Sequence, residues 1–116
     1  MAFVLSGDPA TLALEGPYAG AELDVLTDVP LGISAGIGLW MTRYAEAEAG
    51  SAEEATALQS AWTLFAGGVL VGWNLHDRRG VVPADASAFS RISPRFIVQV
   101  LGLWADLMTP EVPGGE

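Results

Sequence analysis

The chain has one histidine, His76, at the head of the run His76–Asp77–Arg78–Arg79. An imidazole beside a carboxylate is the raw material of general acid–base catalysis, and paired arginines can hold an anionic group. The spacing argues against that use. Adjacent loop residues rarely aim at one substrate atom, no serine lies close in sequence to act as nucleophile, and no second imidazole exists to share a metal ion. His76 is therefore read as a solvated loop residue. The acidic run from Glu46 to Glu54 straddles a helix break and lacks the alternating Asp/Asn pattern and central glycine of a calcium loop. The glycine-rich stretch Gly32–Gly38 has neither G-x-G-x-x-G spacing nor the Lys-Ser/Thr pair of a phosphate loop. The chain contains no cysteine, which removes thiolate chemistry and a disulfide framework. No catalytic residue, cofactor or metal ligand is expected, and the protein is not read as an enzyme.

What positions these residues is a chain of 116 residues, enough for one domain and one core. Hydrophobic residues make up 51 % of it and charged residues 16 %, so apolar surface should remain for a partner. Fourteen acidic against five basic residues give a net charge of −9, which repels phosphate backbones and anionic lipid heads. Neither nucleic acid nor membrane is expected as a partner. The N-terminus has no basic region ahead of its apolar residues and reaches Asp8 too soon for a signal peptide. The apolar stretch Ala61–Trp73 falls short of the ~20 residues that span a bilayer.

The first third alternates as strands do. Leu12 and Leu14 oppose Thr11, Ala13 and Glu15, while Leu23 and Val25 oppose Glu22, Asp24 and Leu26. Gly16–Gly20, GPYAG, supplies the reversal of a β-hairpin. Ala2–Leu5 is a candidate third strand. From Leu31 the spacing turns helical, through Ile33, Ile37, Trp40, Met41 and Tyr44, with glycines that make the start of that helix a candidate loop. Ser51 and Glu54 form a capping box for a second helix, whose stripe Leu58, Ala61, Trp62, Phe65, Val69 and Trp73 predicts an end near Trp73 or Asn74, with Asn74 as left-handed cap. Ser93 and Pro94 open a third helix with the stripe Phe96, Ile97, Val100, Leu101, Trp104, Leu107 and Met108. The expected fold class is α+β, a small N-terminal antiparallel hairpin or sheet followed by a bundle of three main helices. A single domain over residues 1–108 and a flexible tail over 109–116 complete the reading. The glycine pairs Gly32/Gly36 and Gly68/Gly72 would let helices approach closely, either within the chain or between copies.

Several segments match a known family in order. They are the hairpin LEGPYAGAELDVLTDVPL, a short helix, a long helix ending FAGGVLVGWNL, the loop HDRRGVVPADASAF and the final helix ISPRFIVQVLGLWADL. Together, over roughly Thr11 to Met108, they resemble the tail assembly chaperones of long-tailed, siphovirus-type bacteriophages. In that family a Trp-Asn pair is typically followed by an acidic residue, a glycine and a Val-x-Pro-like turn. Trp73, Asn74, Asp77, Gly80, Val82 and Pro83 stand in those places here. The resemblance implies a protein of the infected host's cytoplasm, absent from the finished virion. It would bind the apolar helical tape-measure protein, keep it soluble while the tail tube polymerises, and act as a homo-oligomer. The tail-tube protein is a second implied partner, through a frameshifted longer form.

An apolar groove on an acidic body could take amphipathic helices while charge keeps loaded complexes apart. Trp62, Phe65, Trp104 and Met108 are candidates for that partner surface or for the core. A structural virion component, such as a head–tail joining or tail-completion protein, is the first alternative. A small α+β enzyme or ligand-binding domain is the second, and it would require a closed polar pocket around His76, Asp77 and Arg78.

Overall fold

The structure, a computed structural model, describes residues 9–108. The candidate strand Ala2–Leu5 and the expected tail, 109–116, lie outside the described residues.

Strands β1 (Ala10–Ala13) and β2 (Glu22–Val25) pair antiparallel with Leu12 opposite Leu23. Leu12, Leu14, Leu23 and Val25 face the core, as their alternation predicts. The reversal is a short 3₁₀ turn, Gly16–Tyr18, bracketed by Gly16 and Gly20 at φ +64° and +100°, conformations that favour glycine. Helix α1 (Leu31–Glu46) follows Pro30, whose carbonyl accepts from the Ile33 and Ser34 N–H groups. The helix is therefore formed from Leu31 onward, not loop at its start: Pro30 sets the entry and packing on the next helix outweighs the glycines.

Helix α2 (Ala52–Gly68) opens as the capping box predicts, with Ser51 Oγ accepting from the Glu54 N–H at 3.1 Å. The return bond from the Glu54 carboxylate goes to the Gly50 N–H. Buried Leu58, Ala61, Trp62 and Phe65 lie along one face. The predicted end of this helix is wrong by about a turn and a half. It stops at Gly68, and Leu70–Trp73 is a strand, β3. Two successive glycines weaken the helix there, and the valine-rich residues beyond them fit a pleated sheet better. The free edge of β2 supplies the partner: β3 pairs antiparallel with it, Leu23 opposite Trp73, with a bulge near Val71. The sheet order is β1-β2-β3. Its third described strand thus comes from after α2.

Asn74 consequently does not cap a helix. It follows a strand, and among the described residues no non-glycine residue has a positive φ. Strands β4 (His76–Asp77) and β5 (Gly80–Val81) then make a small hairpin. Helix α3 (Pro94–Met108) starts as expected, Ser93 Oγ accepting from the Phe96 N–H at 3.1 Å. Its buried face is Phe96, Ile97, Val100, Leu101 and Trp104, whereas Leu107 is exposed. The architecture is α+β, a three-stranded antiparallel sheet with three helices packed around one core.

One glycine of each pair, Gly36 and Gly68, is used within the chain. A Cβ at Gly36 would lie 2.8 Å from Leu64 Cδ1, and one at Gly68 would meet Ile33 at 3.1 Å, so α1 and α2 approach closely at these two points. Gly32 and Gly72 have no such neighbour.

Candidate functional site

The residues that carry the family resemblance form a clasp between the sheet and α3. The Trp73 Nε1–H donates to the Val82 carbonyl at 2.7 Å, drawing the chain beyond β5 back over β3. The Asn74 side chain closes both ends of one exchange: its Oδ1 accepts from the Glu22 N–H at 2.9 Å and its Nδ2–H donates to the Gly20 carbonyl at 3.0 Å. Asn74 therefore continues the β2–β3 ladder and pins the hairpin turn. Asp77 opens the β4–β5 turn, its Oδ1 accepting from the Arg79 N–H at 2.8 Å, and Gly80 completes it at φ +114°. Val82 is buried and Pro83 exposed.

Arg91 is the residue that the sequence did not reveal. Its Nε and Nη2 donate to the two Asp77 oxygens at 2.9 and 2.6 Å, a forked pair that ties the hairpin to the segment before α3. These bonds, and after them the Arg79 N–H, hold the Asp77 carboxyl down to about 2. Fourteen residues separate Asp77 from Arg91, and no local pattern links them.

The same residues border an open hollow of about 520 Å³ with Tyr18, His76 and Ser93 on its walls. This is where the enzyme reading required a closed polar pocket around His76, Asp77 and Arg78. The hollow has Arg91 in place of Arg78, His76 and Asp77 are exposed, and both Asp77 oxygens are engaged by Arg91. Tyr18 and Ser93 join their hydroxyls at 3.0 Å across it. The groups are thus bonded to one another in a wet cleft. Among the described residues, no cluster of three His, Asp or Glu side chains is placed to hold a metal ion.

A row of aromatic rings runs from this cleft through the core. Tyr18 meets Phe96 edge-on at 5.2 Å, Phe96 meets Trp73 at 6.3 Å, and Trp73 stacks on Trp62 at 5.8 Å. Trp62 then touches Phe65 at 5.6 Å, and Phe65 meets Trp104 edge-on at 5.9 Å. Trp62, Phe65 and Trp104 are buried in this row. Of the four candidate partner residues these three are buried, because the helix faces that carry them turn toward the sheet and each other, and Trp104 also borders a groove. Among the described residues the Trp62 Nε1–H has no hydrogen-bond partner.

Met108, the fourth, is half-buried and lines a different feature. Between α1 and α3 runs an open groove of about 340 Å³, with Ser34, Ile37, Gly38 and Met41 on one wall and Leu101, Trp104, Ala105 and Met108 on the other. Buried Ile37, Leu101 and Trp104 form its floor. None of its walls carries a charge. Elsewhere on α1, Leu31 is 80 % and Leu39 52 % exposed. No charged residue occurs between Leu31 and Thr42, and the single cation of α1, Arg43, lies over the Trp40 ring at 4.9 Å. Sequence reasoning missed this groove because Ile37 and Met41 read as ordinary core spacing, and which helix faces them is a property of the packing. Among the described residues no helix is long and apolar enough to cross a membrane. No family model, curated protein or solved structure matches the chain.

Proposed function

We propose that this protein is a tail assembly chaperone of a long-tailed bacteriophage. In this reading it holds the apolar, helical tape-measure protein in soluble form in the cytoplasm of the infected cell until tail-tube subunits enclose it, and it does so by binding, without catalysis.

One structural observation carries the reading beyond the resemblance. An uncharged groove and exposed leucines elsewhere on α1 stay open on a body whose sequence bears a net charge of −9. Such a surface takes apolar helical segments by burying their side chains, while the like charge of the bodies keeps loaded copies from coalescing. The Trp73–Pro83 clasp has a supporting part in this: it fixes the sheet to α3 and so holds the groove wall that α3 contributes.

The test is co-expression with apolar helical segments from a neighbouring tape-measure gene, scored by the fraction of partner that stays soluble and co-purifies. Retention with several copies of this protein per partner is expected. An insoluble partner beside this protein incorporated into purified particles would instead make it a structural virion component.

A further inference from the structure

We infer that the groove between α1 and α3 is the docking site for about two turns of a cationic amphipathic helix supplied by another protein. Its walls run from Ser34 to Met41 and from Leu101 to Met108, each about 10 Å long at the α-helical rise. That length matches a segment presenting apolar side chains at i, i+3 or i+4, and i+7. The lining suits a helix. Gly38 and Ala105 keep the walls low enough for a close approach, and Met41 and Met108 stand half-buried on either side. Thioether side chains are flexible and polarizable, so they adapt to apolar partners of differing shape. Trp104 and Ile37 give the floor, and the indole is held there by neighbouring Phe65 at 5.9 Å.

Charge decides among possible occupants. A second copy is a body of the same net charge, −9, and repulsion between the two bodies opposes that approach. A basic segment is attracted instead, and exposed Asp106 beside the Ala105 wall offers it a nearby carboxylate. The uncharged walls take its apolar side, and the acidic body meets its lysines and arginines. The inference rests on the chaperone reading for the source of the helix, but not for the groove's chemistry.

Methionine-methyl NMR of the full chain tests it directly, because Met41 and Met108 are groove residues and Met1 provides a third signal. The probe is a synthetic Leu/Lys amphipathic helix of four turns, with a scrambled peptide of equal charge as reference. Saturable shifts of the Met41 and Met108 signals are expected with the amphipathic peptide alone. Gly38→Gln, which adds a side chain at a groove-lining position with open space at its Cβ, is expected to weaken binding at least tenfold. Ala55→Gln, an exposed site on α2, is expected to leave it unchanged. Equal affinity for Gly38→Gln, or equal response to the scrambled peptide, would overturn the assignment. So would Met41 and Met108 signals that move with protein concentration alone, which would give the groove to a second copy. Signals that move in Phe3→Ser or Val112→Ser would overturn it as well, by giving the groove to the chain's own ends. If the peptide binds as expected while tape-measure segments are not retained, the groove stands and the chaperone reading fails.

Discussion

At the scale of single residues, the string Trp-Asn-x-x-Asp-x-x-Gly builds a clasp of hydrogen bonds within the fold. Trp73 stacks on buried Trp62 and donates to Val82, so Trp73→Ala should remove both a ring from the aromatic row and a hydrogen bond. A loss of about 3–5 kcal/mol is expected in urea unfolding. His76→Ala, at an exposed position beside it, should change stability by less than about 0.5 kcal/mol. The Asp77–Arg91 pair adds a pH signature. Its folded-state carboxyl sits at about 2, below the ~3.9 of an unfolded chain, so the stabilisation is full above about pH 4 and fades as pH falls toward 2. Melting curves of wild type and Asp77→Asn should therefore differ at pH 6 and converge near pH 2; a gap that persists in acid would mean the pair is not its origin.

At the scale of elements, the starts of α2 and α3 and the hairpin were legible because their causes are local. Ser51 and Ser93 cap within three residues, and the β1–β2 alternation flanks its own turn. Strand β3 was not legible. Val69 continues the stripe of α2, and what makes Leu70–Trp73 a strand is the edge of β2, nearly fifty residues earlier in the chain. The same nonlocality hid the Asp77–Arg91 pair and the α1–α3 groove, where Met41 and Met108 come together only in the fold. The glycines of the α1–α2 contact give a test of this packing. Gly38 has open space at its Cβ, so Gly38→Ala should stabilise the fold by up to about 1 kcal/mol through helix propensity. Gly68→Ala should do the reverse, since its Cβ would press on three Ile33 atoms at 3.1–3.3 Å. Thermal unfolding of the two variants, moving in opposite directions, checks the helix register; a parallel shift would contradict it.

At the scale of the whole molecule, the chain is an acidic body with an uncharged groove between α1 and α3. Trp62, Phe65 and Trp104 are buried, and of these only Trp104 also borders the groove, to which the proposed role assigns partner contact. In the proposed role, long-range attraction would bring a basic segment in and burial of its apolar side would hold it, so capture should slow as salt screens the charge, over a Debye length of about 8 Å at physiological ionic strength. The central claim is that this surface keeps apolar helical chains from aggregating, and light scattering measures that most directly. A purified tape-measure segment diluted from denaturant should scatter strongly alone and weakly in the presence of the folded protein, with Gly38→Gln restoring much of the scattering. Unchanged scattering beside an excess of folded wild-type protein would contradict the account.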